Sequence, residues 1–387
     1  MSRSPLLSRP GAVAIEGGSV AARSADLPAV AAHSADLPAV AAHYGDPLRE
    51  QRTLAEGVGL VDRSDRDVVA VPGADRLSWL HSLTSQHLDQ LADGAGTESL
   101  LLSPQGHVEH HLVLADLDGT TWADVEPGTG AALAAFLDRM RFLLRVEPAL
   151  VTEQWAVLSL IGPMAADVLT AAGLPAPEAP YDVLPLAEGF ARRMPPIGDG
   201  SAMVFDLVVP RTELAAVADR LVASGAALAG FQAFEALRVE ARRPRAGIDS
   251  DHRTIPNESS WLATAVHLDK GCYRGQETVA RVHNLGRPPR RMVLLHLDGV
   301  SEVLPEAGTP VLAGAREVGR VGTVVRHYEQ GVIALALVKQ SVPMDAVLTV
   351  GGSTAAIDPT DAPVGPDDTR TAARERVRAV RSATIGR

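Results

Sequence analysis

Lysine is nearly missing from this chain. Lys270 and Lys339 are the only two among 36 basic residues, so arginine carries the positive charge. Basic charge as a whole is in deficit, because 47 acidic residues leave a net charge of −11. Nucleic acid and anionic membranes repel such a surface, which argues against direct contact with either. Cysteine is rarer still. Cys272 stands alone, which excludes an internal disulfide framework and agrees with a reducing compartment. Uninterrupted apolar runs of about 18 residues, the length a membrane-spanning helix needs, do not occur. Nor does the first stretch show a basic segment followed by an apolar run and a small-residue cleavage site. The expectation is a soluble, cytoplasmic protein.

What is present is globular in composition. With 387 residues, 46% of them hydrophobic and 21% charged, the chain has material for two or three domains and too much of it for a disordered class. Residues 1–43 stand apart. They are rich in Ala, Ser and Pro and carry the unit SADLPAVAAH twice, from Ser24 to His33 and from Ser34 to His43. Two copies of so short a unit cannot stack into a core, so a disordered leader, dispensable for folding, is expected. Glu16, Asp26 and Asp36 dilute the positive charge that a transit peptide would need.

Residues 44–287 read as an α+β region of two modules. In the first, a strand over 68–71 precedes a helix capped by Asp75 and running through Leu83. A hairpin over 98–102 and 108–115 turns at Pro104-Gln105-Gly106, and a helix is expected from Gly130 to Leu144. A similar order returns in the second, with strands over 155–161 and 203–209 and helices over 164–172, 212–223 and 232–242. Helices alternating with antiparallel hairpins indicate packed α+β layers and not a doubly wound parallel sheet. From 288 to 358 the pattern switches to short strands, over 291–297, 310–312, 318–327, 332–338 and 346–350, which suggests a small antiparallel β-barrel. Residues 359–387 are polar and expected to fray.

The most distinctive stretch is Lys270-Gly271-Cys272-Tyr273-Arg274-Gly275-Gln276-Glu277. Gly275 is a plausible entry to a helix from Gln276 to about Asn284, with Gly286 as its stop. Cys272 then lies just before a helix N-terminus, flanked by Lys270 and Arg274, and dipole and cations together favour a reactive thiolate. The alternative is a lone cysteine acting as a small buried hydrophobe.

The same eight residues resemble the K-G-C-[FY]-x-G-Q-E signature of YgfZ-type folate-binding proteins, a branch of the glycine-cleavage T-protein superfamily. The resemblance runs from about Glu56 to Val350. Gly59-Leu60-Val61-Asp62 is similar to the start of the superfamily's folate module, Leu237-Arg238-Val239-Glu240 to its pocket-lining helix, and Ile255-Pro256-Asn257-Glu258 to its I-P-x-E turn. It implies bound tetrahydrofolate, with Arg238, Glu240 and Glu258 as cofactor-binding residues and Arg238 on the glutamyl tail, where its planar fork suits a carboxylate. Cys272 is the implied reactive residue, with the other seven positions of the motif supporting it.

Two departures bear on chemistry. Where T-proteins carry an Asp-Asp pair, the first of them catalytic, this chain has His110-His111. Where they carry a pocket glutamate, it has Gly200-Ser201-Ala202-Met203-Val204 before Phe205-Asp206. Aminomethyl transfer is put in doubt by these losses and folate binding is not, so whether the protein is an enzyme stays open. His107, Glu109, His110 and His111 do not make a metal site on a strand, since His110 points away from the other three; no stably bound metal is expected. The resemblance implies a role in iron–sulfur cluster assembly or repair. One cysteine cannot hold a cluster, which takes about four protein ligands, so client or assembly proteins are the implied partners. The rivals are a folate-dependent aminomethyltransferase and a folate-binding factor affecting transfer-RNA modification through a partner.

Overall fold

A mixed sheet, an antiparallel sheet, helices packed on them and a closed barrel make up the described residues. The computed structural model describes residues 3–15 and 40–361. The first sheet orders its strands Val183–Pro185, Phe190–Ile197, Ala202–Pro210, Trp155–Ile161, Gly59–Asp62 and Ala227–Ala229. Its last pair is parallel and the others antiparallel. The central strands are apolar on both faces because both are covered. Leu60, Leu158 and Leu160 face the helices Ala165–Ala171 and Leu214–Ala223. Val61, Ile161 and Val204 face the helix Phe231–Glu240, through Phe234 and Leu237. Successive side chains alternate faces, so neighbours in sequence enter different cores.

The second sheet runs Ala95–Leu102, Val108–Leu117, Thr120–Val125, Asp67–Pro72 and Ala149–Leu150, antiparallel throughout. Val69, Val71, Leu112 and Leu114 pack there on the helices Arg76–Leu83 and Gly130–Met140. The chain passes from the first sheet to the second through Arg63, Ser64, Asp65 and Arg66, all buried. Arg192 ties the sheets together: it reaches Asp206 of the first and Asp124 of the second, each at 2.8 Å.

The barrel closes in the order Arg290–Leu297, Gly331–Lys339, Arg316–His327, Pro310–Ala313, Leu348–Val350 and Ser353–Ile357. The sequence pattern indicates five of these strands. The sixth, Ser353–Ile357, pairs with both Leu348–Val350 and Arg290–Leu297 and so removes the open edge. Val239 of the helix Phe231–Glu240 packs against Leu294, Ile333 and Leu335, docking the barrel on the α+β region. Among the described residues no helix is long and apolar enough to cross a membrane.

Three expectations need correction. The segment 1–43 is not wholly a disordered leader. Pro5–Ser8 forms a 3-10 helix whose Leu6 is 1% exposed inside the first core, the Ser4 hydroxyl bonds to Asp62, and Val13–Ala14 pairs with Ala41–His43. The low-complexity repeat dominated the composition there and hid one Leu on a Pro-started turn. The first repeat copy and the start of the second lie outside the described residues. At the other end Pro359–Asp361 is also ordered, and Asp361 accepts from Arg242 at 2.7 Å; residues 362–387 lie outside the description. The helix expected to reach Leu144 stops at Met140, whose carbonyl takes the Trp79 indole N–H at 3.1 Å. Phe142 follows in the left-handed region, and Phe142 and Leu143 are exposed.

Candidate functional site

A cavity of about 250 Å³ lies where the crossover Arg63–Arg66, both sheets and the end of the helix Phe231–Glu240 meet. Part of its wall is apolar, from Val113, Met194, Ile197, Val204, Phe234 and Trp261. The rest is dense with charge, from Arg63, Arg66, Arg243 and Arg245 against Glu98, Asp124, Glu126 and Asp206.

Almost every one of these charges is spent inside the protein. Asp124 sits between Arg66 at 2.5 Å and Arg192 at 2.8 Å. Burial alone would raise its pKa, but these two arginines hold it well below the usual carboxylate range. Glu126 takes Arg245 at 2.7 Å and Arg66 at 3.3 Å, which outweigh its burial and bring it down to about 2. Asp206 accepts from Arg192 and from the Ser159 hydroxyl at 2.6 Å. Glu98 accepts from Tyr181 at 2.7 Å and pairs with His111 Nε2 at 2.9 Å, with Arg243 at 3.4 Å. Against its burial, the His111 bond and charge take the lead in lowering Glu98 to about 2.

Arg63 is the exception. Its guanidinium lies over the Phe234 ring, 4.0 Å from the centroid, and its buried Nε has no partner among the described residues. Burial, then the neighbouring Arg66, push its pKa down. Two positions on, both carboxylate oxygens of Asp65 are buried without a hydrogen-bond partner among the described residues, and burial raises Asp65 to about 6. Buried polar atoms are rarely left unpaired, so the crossover carries hydrogen-bonding capacity that no described residue uses.

The residues expected to hold folate are placed differently from that expectation. Arg238 does line the cavity, but its five N–H groups are taken by Glu235, Asp249, the Arg243 carbonyl and the Thr323 hydroxyl. It has no donor left for a ligand tail and instead joins the helix to the barrel. Glu240 faces the barrel, bonding Gln330 at 2.6 Å and His327 at 3.2 Å. Glu258 is 3% exposed and holds the barrel's Arg290 at 2.8 Å. Neither belongs to the cavity wall.

The motif forms a local unit outside that wall. Its helix is Gln276–Leu285, entered and left through Gly275 and Gly286 at φ 82° and 77°. A Cβ on Gly275 would lie 2.6 Å from the Ser103 carbonyl, so the 103–107 turn and the helix entry approach at glycine distance. Tyr273 is buried in the cluster that also contains Trp261, whose ring lines the cavity. Lys270 does not flank the thiol as a cation. Its ammonium turns inward to the carbonyls of His81, Thr84 and Gln86, and burial lowers it to about 8. Arg274 is engaged by Glu109 at 3.0 Å, and Gln276 returns to the Lys270 carbonyl at 3.3 Å. Glu277 is exposed, paired with Arg281, and Gly271 is exposed with open space around it. Cys272 is exposed, with no hydrogen bond to its sulfur among the described residues. It is a presented thiol and not a buried hydrophobe. Lys270 and Arg274, expected beside the thiol, make their bonds elsewhere.

Of the histidine pair, His111 enters the cavity wall and His110 does not. His110 Nδ1 is buried without a partner among the described residues, and burial lowers the ring to about 4. Glu109 is bound to Arg274 and His111 to Glu98, so the 107–111 stretch does not converge on an ion. Sequence reasoning missed Arg63, Glu98, Arg243 and Arg245. The signals available were two charged runs following apolar segments: Asp62 to Asp67 after a strand, and Arg242-Arg243-Pro244-Arg245 after the pocket helix.

Residues 42–270 match the GCVT N-terminal domain, and residues 290–364 match the CAF17 C-terminal beta-barrel domain. An aminomethyltransferase of Thermus thermophilus is 30% identical over 306 residues, 77% of this chain and 84% of the relative. A chloroplastic protein of Arabidopsis thaliana, provisionally named a transferase, is 25% identical over 318 residues, 76% and 68% of the two chains. The crystal structure of the glycine cleavage system aminomethyltransferase T from Bartonella henselae superposes with a TM-score of 0.76 at 21% identity, over 91% of this chain and 94% of that one. That likeness bears on the fold.

Proposed function

This chain belongs to the family of the GCVT N-terminal domain, and from that premise we propose a tetrahydrofolate-binding protein that serves iron–sulfur cluster assembly or repair through Cys272. The observation that carries the binding half is Arg63, a buried guanidinium stacked on Phe234 with donors unspent at the cavity. The cavity's volume is just under the roughly 300–1,000 Å³ of typical ligand pockets. It suits the ring end of a folate, against Phe234 and Trp261, with Arg63 donating to a ring acceptor. Arg243, loosely held by Glu98 at 3.4 Å, is the cation for the glutamyl carboxylates, the role that Arg238 cannot fill. Tetrahydrofolate, when bound, supplies a nitrogen-borne one-carbon carrier.

Aminomethyl transfer, the activity named for several relatives, is the second reading. The cavity holds four carboxylates, more than the lost Asp pair and pocket glutamate suggest. Each is neutralised by a bonded arginine or by His111, however, which leaves none to attract a proton from a folate nitrogen. The iron–sulfur half rests on the motif's resemblance and is supported by the exposure of Cys272 on an ordered loop.

Deleting the gene and assaying iron–sulfur enzymes beside glycine cleavage tests the reading. Iron–sulfur activities should fall with glycine cleavage intact, and Cys272→Ser, equally stable, should fail to restore them. Loss of glycine cleavage, or aminomethyl transfer by the purified protein, would favour the second reading.

A further inference from the structure

Away from the cavity, three side chains converge beneath the motif loop. His81, at the end of the helix Arg76–Leu83, and His87 and Asp89, in the turn after it, bring one ligand atom each to within 4.8 Å of one another. His87 Nε2 is 2.7 Å and His81 Nδ1 3.4 Å from Asp89 Oδ1. A fourth donor, His267, packs its ring against His87 with centroids 5.1 Å apart.

The hydrogen bonds set which of these atoms carry protons. His81 Nδ1 accepts from the backbone N–H of Leu88 at 3.1 Å and of Asp89 at 3.4 Å. It therefore carries no proton, and its lone pair is engaged by these two N–H groups, so an ion bound at Nδ1 replaces those bonds. His87 Nδ1 has no partner among the described residues, while Nε2, 2.7 Å from Asp89 Oδ1, carries the proton of that pair, which a bound ion replaces. The Lys270 ammonium, bonded to the carbonyls of His81, Thr84 and Gln86, is close enough to act on the charge of Asp89. The cluster is open to solvent, at 18%, 33% and 40% side-chain exposure.

We propose that His81, His87 and Asp89 form a binding site for a divalent first-row transition ion, with His267 or water completing a tetrahedron. Two imidazoles and a carboxylate are a zinc-type donor set, and the 2.7–4.8 Å separations bracket the roughly 3.3 Å between ligands about 2.0–2.1 Å from a tetrahedral zinc. The ion fastens the 84–89 turn, on whose carbonyls Lys270 hangs the Cys272 loop. The site is independent of folate.

Chelator-treated, untagged full-length protein titrated with Co²⁺ and then Zn²⁺ tests this. One equivalent of Co²⁺ should bind with the visible bands of a tetrahedral site, and Zn²⁺ should displace it. His87→Gln and Asp89→Asn, both at partly exposed positions and checked for unchanged melting, should each weaken binding at least about 10-fold. His283→Gln, at an exposed position on the motif helix, should leave it unchanged. Absence of bands at millimolar Co²⁺, or bands that persist in the His87→Gln/Asp89→Asn double variant, would overturn the assignment.

Discussion

Asp65 carries the least compensated charge at the heart of the molecule. Its folded pKa, raised to about 6 by burial, exceeds the unfolded value of about 3.9. Its contribution to stability is therefore full below pH 4 and is lost as pH rises through 6, because ionising it in place costs more than ionising it in the unfolded chain. Two pKa units correspond to about 3 kcal/mol. Relative to Asp65→Asn, the wild type should lose about that much between pH 4 and pH 7 in urea unfolding; a constant gap between the two proteins would contradict it. Residues of this kind are hard to find in a sequence. Asp65 and Arg63 stand in a charged run that reads as a solvated turn, and only the joining of two sheets there buries it. Arg238 is the converse case. Its motif placed it at the pocket correctly, but the partners that exhaust its donors, Asp249 and Thr323, lie 11 and 85 residues further on.

At the level of elements, local chemistry was legible wherever short-range signals decide. The helix Gln276–Leu285 begins and ends at the glycines that mark it, and strand Trp155–Ile161 has the bounds its apolar run suggests. Failures came where a tertiary contact sets the boundary, as at Met140, or where a strand exists only by closing a barrel, as at Ser353–Ile357. Two glycines of the motif separate local from tertiary demands. Gly275→Ala places a Cβ at positive φ and 2.6 Å from the Ser103 carbonyl, which should cost roughly 2 kcal/mol or more. Gly271 has open space and no positive φ, and Gly271→Ala should stay within about 0.5 kcal/mol of the wild type. Thermal unfolding of both variants checks this; equal losses would mean that the motif loop is not seated as described.

On the scale of the whole molecule, the three parts divide the work. The two sheets meet at Arg192 and at the crossover, and their junction is the cavity. The barrel contributes no residue to that wall among those described; it is held by Glu240, Glu258 and Arg238, the residues the motifs had suggested for folate. The helix Phe231–Glu240 thus serves the assembly of the parts, and the proposed ligand recognition rests on the crossover and on the arginines after the helix. Calorimetric titration of tetrahydrofolate into the wild type and Arg63→Gln tests this division most directly. The account predicts one molecule bound per chain by the wild type, and affinity reduced about 10-fold or more in Arg63→Gln, since a buried donor site loses its charge-assisted bonds. No binding by the wild type at millimolar ligand, or equal affinity in the two proteins, would contradict it.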